Sequence, residues 1–489
     1  MAVLERIDYK TIFTYFEEIS GVPRGSRYNE KISNYLVEFA KKHQLEHYQD
    51  ELGNVIIIKE AAPGYEHAPA VILQGHMDMV CEKESGIEHD FQTEGLKLRV
   101  IEGETPEGTY IEAEGTTLGG DDGIALAYAL AILAGDYKHP RLEAVFTVDE
   151  EVGMDGAYAL DVTPLKGSYM INLDSEAEGA LLSSCAGGLK VDCALPVERI
   201  SQEGLSVCLR IFGLKGGHSG EEINSNRTNA DVLLGRLLFE LKKELDYNLI
   251  SLKGGLKDNA IPRESSAKLQ IRPEDWERLE ALLAERILVY KEELSAADPE
   301  VSLQAERLAE ETAEVLTPAS AIKVLHQLLA APNGVQSMSA HIPGLVESSL
   351  NLGVLKTEEN QVNLTYSIRS SVSSLKASIA DKVCFLTEFL GGEASIHGDY
   401  PAWEYKADSK LRELMIRIFT EQYGKAPQVK AIHAGLECGL ISEKLPGIDI
   451  VALGPNMADI HTPEEKLYVE SVKRVFDYVT AVLAQMNTL

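Results

Sequence analysis

Four short apolar runs constrain this chain more than anything else in it: Asn54–Ile58, Ala70–Leu73, Glu143–Val148 and Tyr169–Leu173. Each is too short for a helix, and their cores do not alternate apolar with polar, so none presents a face to water. Such runs read as strands buried on both sides, which requires helices laid over both faces of a mixed, largely parallel sheet. Between them Gly123-Ile124-Ala125-Leu126-Ala127-Tyr128-Ala129-Leu130-Ala131-Ile132-Leu133 reads as a helix apolar nearly all round. After Pro401 the same character returns, with a helix expected over 408–422, a strand at Ile450–Leu453 and an amphipathic helix from about Val469. This alternation of buried strands and helices is the pattern of an α/β fold.

Near Leu189 the pattern changes. Leu205-Ser206-Val207-Cys208-Leu209-Arg210-Ile211 alternates, as a half-buried strand does, and amphipathic helices are expected over 228–245 and 274–292. A second set follows, with a helix near 318–330, strands over 346–354 and 361–369, a helix near 375–390 and a strand near 394–398. At 489 residues the chain exceeds what one core supports. The expectation is a discontinuous α/β domain over 1–188 and 400–489, with an α+β domain inserted over 189–399 whose two halves follow a similar strand and helix order.

With 46 basic against 77 acidic residues the formal charge is −31, which repels phosphate backbones and anionic lipid, so nucleic acid is not expected as a partner. No stretch of about 18 apolar residues argues for a membrane span. The opening MAVLERIDYKTIFTYFEEIS mixes charges with apolar residues at helical spacing, unlike a secretory signal. The six cysteines are scattered without a C-x-x-C spacing, which fits a reducing cytoplasm better than a disulfide framework.

Polar clusters sit where these strands end or where the apolar helix begins, the usual place for ligands in open α/β sheets. In Gln74-Gly75-His76-Met77-Asp78-Met79, His76 and Asp78 are two apart and project to one side of an extended segment. A metal-bound imidazole needs a carboxylate to fix its tautomer, and Asp78 is placed to supply it; alone, the pair is better explained by a hydrogen-bonded core histidine. Asp121 and Asp122 follow Gly119-Gly120 at the helix start, where two acids taken alone read first as an N-cap pair answering the helix dipole, the same geometry also serving to hold a carboxylate between two cations. Asp149-Glu150-Glu151 close a buried strand, and three successive acids there repel unless cations or protons intervene. Asp174 and His461 each read as ordinary loop residues in isolation. Together the set supplies His, His, Asp, Asp and Glu, ligands suited to zinc or manganese. Two cations sharing a carboxylate, about 3.5–4 Å apart, polarise a carbonyl and lower the pKa of a water toward about 7. A carboxylate beside them then serves as base and acid, so of Glu150 and Glu151 one is expected to ligate and the other to shuttle the proton.

These motifs resemble those of the M20 family of co-catalytic zinc peptidases, and within it the aminoacyl-histidine (Xaa-His), carnosinase-like dipeptidase branch. The resemblance rests on Gln74–Lys83, Glu114–Ile124, Thr147–Met154 and Ile171–Glu176, in the family's order. It implies that His76, Asp121 and Asp174 hold one metal and that Asp121, Glu151 and His461 hold the other, with Asp121 bridging. It further implies Glu150 as general base, Asp78 as the residue orienting His76, and His218, in Gly213-Leu214-Lys215-Gly216-Gly217-His218-Ser219-Gly220, as the donor to the oxyanion. Asn259 and Arg369 are candidates for gripping a substrate carboxylate, and Gly435–Gly439 for lining the substrate floor.

The expected function is a cytoplasmic metal-dependent dipeptidase acting on short Xaa-His peptides of the β-alanyl-histidine type. It would use two divalent ions per chain, zinc with manganese or cobalt as alternatives. The inserted domain would be a lid and dimerisation domain in a homodimer. A tripeptidase or N-acyl amino acid deacylase is the nearest alternative, and a metal- or peptide-binding protein without turnover is the alternative from another class.

Overall fold

The computed structural model describes residues 3–103 and 108–489. The chain forms two compact units: Met1–Ser184 with Tyr405–Ala431 and Glu437–Leu489, and Cys185–Glu404 with Ile432–Leu436.

The first unit is built on an eight-stranded sheet. Its order is Glu46–Gln49, Val55–Lys59, Leu142–Thr147, Val71–His76, Tyr169–Asn172, Asp449–Ala452, Ala180–Cys185 and Gln428–Ile432. The middle four, from Leu142–Thr147 to Asp449–Ala452, run parallel, whereas Val55–Lys59 and Glu46–Gln49 join antiparallel. Every residue of Val71–His76 and Leu142–Thr147 is buried, the polar Gln74, His76, Glu143 and Thr147 included. The helix Gly120–Ala134 is buried from Gly120 to Leu133. It packs in one core with residues of the helix Lys10–Ser20 and of the C-terminal helix Val469–Gln485. Ile124, Leu126 and Leu130 are fully buried there, and each such side chain contributes roughly 1.5–3 kcal/mol, which only an interior position supplies to a helix lacking a polar face. Tyr128 keeps its hydroxyl satisfied by donating to Val472 O at 2.8 Å.

Parallel pairing also aligns strand ends. His76 lies opposite Thr147, and Gln74 opposite Asn172. The segments that follow these strands, carrying Asp78, Glu150, Glu151 and Asp174, therefore leave the sheet along one edge.

The second unit holds a sheet in which every strand pair is antiparallel. Its order is Ser302–Leu316, Arg199–Phe212, Ser265–Ile271, Asn248–Gly254, Val346–Thr357, Gln361–Ser370, Gly187–Pro196 and Glu393–Tyr400, with Gly334–Met338 attached to Val346–Thr357. The order mirrors itself about the Asn248–Gly254 and Val346–Thr357 pair. On each side an inner hairpin is followed by a strand from the start of the set and edged by the last strand of the set. The first strand of the second half, Gly187–Pro196, is supplied from the beginning of the unit rather than from just before its helix. Gln361–Ser370 alternates buried with half-buried positions, and the buried face joins the helices Ala230–Glu244, Trp276–Glu293, Pro318–Ala330 and Ser373–Phe389 in one core. The unit begins at Cys185, slightly before the expected 189, and takes in 432–436 because Ala186 N donates to Ile432 O and Ala434 O. Among the described residues no helix is long and apolar enough to cross a membrane.

Candidate metal centre

At the strand ends of the first unit, one carboxylate faces two imidazoles. Asp121 Oδ1 lies 2.9 Å from His76 Nε2, and its Oδ2 lies 3.2 Å from His461 Nε2. His76 Nε2 is 4.0 Å from Asp174 Oδ1, and His461 Nε2 is 3.1 Å from Glu151 Oε1. The triads His76, Asp121, Asp174 and Asp121, Glu151, His461 each bring their ligand atoms within 4.8 Å of one another. Around a tetrahedral ion with bonds of about 2.0–2.2 Å, ligand atoms sit roughly 3.3 Å apart, so both triads have the spacing and donor set that a zinc-like cation requires. His76, Glu150 and Glu151 form a third close group, but only Glu151 also joins Asp121 and His461.

Local backbone explains these positions. Asp121 and Asp122 depart from helical geometry at the start of Gly120–Ala134 and are joined by a cis peptide bond. They do not cap the helix, which corrects the capping alternative. Asp122 Oδ2 instead accepts the His76 amide at 3.2 Å and lies where a side chain at residue 75 would be, so Gly75 is required. Asp78 does more than face His76, from which its Oδ1 is 3.4 Å distant. It also accepts from the amides of Glu150 and Glu151, at 3.0 and 3.3 Å, and from Ser26 Oγ at 2.8 Å. One carboxylate thus ties the histidine segment to the paired glutamates. Asp149 takes a left-handed backbone, φ 55°, and its Oδ1 accepts from Arg27 N and Asn29 Nδ2.

Two residues given no role at the metal centre from the sequence belong here, one of them, Glu437, within the Gly435–Gly439 stretch expected to line the substrate floor. Glu437 is fully buried and accepts from Gln74 Nε2 at 2.6 Å and Thr147 Oγ1 at 2.7 Å. Gln74 accepts in turn from Asn172, whose Oδ1 receives the Asp174 amide. Glu465 is buried against the segment leading into Asp121. No local pattern marks either acid, because each partner is supplied by a distant part of the chain.

The crowding sets the protonation. Burial pushes the Glu150 carboxyl up to about 8, helped by Glu437, Glu151 and Asp121 against the opposing pull of His76. Burial and Asp121 raise Asp174 well above the usual range, and burial with Asp174 does the same to Asp122. Burial raises Glu437 to about 7. Asp121 goes the other way: its burial would raise it, but hydrogen bonds from His461 and His76 hold it low. His461, bonded to Asp121 and Glu151, rises to about 10. Without metal, the protein therefore keeps protons where cations would sit.

In the second unit the sequence-predicted His218, Arg369 and Asn259 are distributed over one neighbourhood. His218 Nδ1 accepts from Glu221 N at 3.2 Å, which puts the ring proton on Nε2 as a donor. Burial and the charge of Arg369 lower its pKa, keeping the ring neutral. A side chain at Gly220 would touch His218, Arg369 and His433 O, so these groups meet across that glycine. Arg369 Nη1 donates to Tyr400 OH at 2.9 Å, and its Nε is buried without a partner among the described residues. His433, also unmarked in the sequence, bonds Ser349 Oγ at 2.7 Å. Asn259 is exposed and enters only through its backbone, accepting from Ser219 N at 2.9 Å. The Gly435–Gly439 stretch divides: Gly435 and Leu436 go with the second unit, whereas Glu437 lies in the first.

Comparison with known proteins gives a consistent assignment. The description "Peptidase family M20/M25/M40" matches residues 72–485. The chain is 34% identical over 489 residues to the cytosol non-specific dipeptidase of Escherichia coli (strain K12), covering 99% of each. It superposes on the crystal structure of aminoacylhistidine dipeptidase from Vibrio alginolyticus with a TM-score of 0.92 and 36% identity, covering 98% of this chain and 97% of that one. Aminopeptidase PepT from Bacillus cereus ATCC 10987 shares the fold, with a TM-score of 0.56 at 17% identity and coverage of 98% and 99%.

The raised carboxyls and histidines give the metal-free protein a definite pH response. A group whose pKa is raised by folding stabilises below its unfolded value and loses that contribution as the pH climbs through the folded one. Glu150, raised from 4.5 to about 8, and His461, raised from 6.5 to about 10, both act in this sense. Thermal melts of chelated protein are expected to fall from pH 5 to pH 8, and zinc is expected to reverse the trend by displacing the protons. A metal-free melting temperature that rises over this range would contradict the protonation pattern.

Proposed function

This chain belongs to peptidase family M20/M25/M40, and on that premise we propose that it is a dipeptidase in which Asp121 bridges two divalent cations. The observation that carries the reading is the division of Asp121, one oxygen toward His76 and the other toward His461. His76 and Asp174 complete one cation site, and Glu151 and His461 the other. Zinc suits this mixture of imidazole and carboxylate, with manganese or cobalt as alternatives.

When bound, the two cations supply Lewis acidity to the scissile carbonyl and acidify the attacking water. The protein's own groups do the rest. Glu150, grouped closely with His76 and Glu151, takes the proton from that water and returns it to the leaving amine. Asp78 holds His76 in orientation and, through the amides of residues 150 and 151, keeps the base in register with the ligands. His218, neutral and carrying its proton on Nε2, donates to the oxygen that becomes negative in the transition state. Arg369 grips the carboxylate of the dipeptide's C-terminal residue, with Asn259 as a second candidate for that contact.

The names of the relatives, a non-specific dipeptidase and an aminoacylhistidine dipeptidase, favour dipeptides over longer or acylated substrates and include peptides ending in histidine. The former is also named as cytosolic, which supports a cytoplasmic setting. The second unit serves as lid and dimerisation domain. Phe385 and Phe389, one helical turn apart and 71% and 76% exposed, support association through that unit; light scattering at a single chain mass would contradict it.

Release of histidine from β-alanyl-histidine and glycyl-histidine, measured after chelation and zinc restoration with tripeptide and N-acetyl amino acid controls, is expected for the dipeptides alone. Cleavage of the controls alone would overturn the substrate assignment. Glu150→Gln is expected to lower kcat by roughly 10²–10⁴-fold while two equivalents of metal remain bound. Turnover equal to that of the unaltered enzyme would remove Glu150 from the role of base.

A further inference from the structure

The segment that delivers Asp121 is gripped from two sides by buried charges belonging to opposite ends of the chain. Glu465 Oε2 accepts from the amides of Leu118 and Gly119, at 2.8 and 2.9 Å, and its Oε1 from those of Gly120 and Asp121, at 2.8 and 3.3 Å. From the other side the Arg24 guanidinium donates to Gly119 O and, through Nη1, to Met77 O at 3.1 Å and Asp78 O at 3.0 Å. Both side chains belong to residues only 2% exposed. Gly119, at φ 62°, and Gly123 leave room for the guanidinium, which a side chain at either position would strike. Arg24 lies outside the residues 72–485 matched by the family description.

Glu465 is also four residues beyond His461 and is covalently part of its loop. That loop runs from the strand Met457–Ala458 to the strand Lys466–Tyr468 and is closed by Thr462, whose hydroxyl donates to Asp459 O and whose carbonyl accepts from Glu465 N. His461 adopts a left-handed backbone, φ 61°, and its side chain is 45% exposed. By contrast His76 ends a buried strand and Asp174 closely follows another, both in the main sheet. The two cation sites are thus supported unequally, one by the sheet and the other by a loop whose Glu465 carboxylate bonds the Asp121 segment.

We propose that Glu465 is a positioning residue that couples the His461 loop to the Asp121 segment, and that it sets the affinity of the cation held by Asp121, Glu151 and His461 while leaving the His76 and Asp174 cation nearly unaffected. The inference rests on the two-cation reading above. A carboxylate suits the position because four amide donors meet its two oxygens, each with room for two hydrogen bonds. Glutamine in its place keeps one acceptor oxygen and turns an NH2 group toward two of those amides, which opens the loop without removing any ligand.

Zinc titration by calorimetry of chelated full-length protein and of Glu465→Gln tests this. The unaltered protein is expected to bind two ions. The variant is expected to keep one site within about threefold and to weaken the other roughly 10- to 100-fold, the range for outer partners of metal ligands. Two sites of unaltered affinity, or equal weakening of both, would overturn the proposal, whereas an unaltered protein binding fewer than two ions would overturn the two-cation reading instead. Should the variant fail to fold, amide hydrogen exchange on metal-free unaltered protein decides. The amides of residues 118–121 are expected to be protected like those of the following helix, and fast exchange there beside a protected helix would overturn the proposal.

Discussion

The burial of a cluster of mutually repelling acids is the constraint to which the rest of the first unit answers. Asp78, Asp121, Asp122, Glu150, Glu151, Asp174 and Glu437 influence one another's charge at the end of the parallel strands. Taking even one carboxylate out of water is costly unless a partner compensates it. The cationic side chains among them, His76, His461 and Arg24, are too few to neutralise the set, so the acids hold either protons or metal ions. A fold that keeps such a cluster without unfolding must hold its carboxylates by hydrogen bonds to backbone or side chain. Asp78, Asp122, Glu437 and Glu465 are each fixed in that way.

The sheet supplies the rigidity and the loops supply the reach. Parallel pairing brings the ends of Val71–His76, Leu142–Thr147 and Tyr169–Asn172 into line, and side chains on these strands, Gln74, Thr147 and Asn172, are cross-linked through Glu437. Ligands at strand ends inherit the low mobility of a buried core. His461 stands instead on a short loop, whose Glu465 carboxylate bonds the Leu118–Asp121 segment.

Much of this was legible in the residues. The runs Asn54–Ile58 and Ala70–Leu73 announced buried strands because nothing in them tolerates water, and the apolar surround of Gly123–Leu133 announced an interior helix. Of the five proposed ligands, His76, Asp121 and Glu151 stood out because they close an apolar run or open the helix, whereas Asp174 and His461 read as ordinary loop residues and joined the set only through the conjunction and the family resemblance. The mirrored strand order of the second unit was anticipated only as a similar order of elements. Other features were hidden for physical reasons. Ser302–Leu316 is rich in Glu, Ala and Leu, which favour helix, and becomes a strand through its long pairing with Arg199–Phe212. Glu465 and Glu437 look like ordinary charged residues, since their donors lie hundreds of positions away. For Asp122 the sequence left open a helix cap or a carboxylate between cations, whereas its carboxylate turns back to the amide of His76.

The central claim, a bridging Asp121 between two cations, is tested most directly by crystals grown with zinc and measured on both sides of the zinc absorption edge. Two anomalous peaks about 3.5–4 Å apart are predicted, one beside His76 and Asp174 and the other beside Glu151 and His461, with an Asp121 oxygen on each. A single peak, or two peaks that do not share Asp121, would contradict the account.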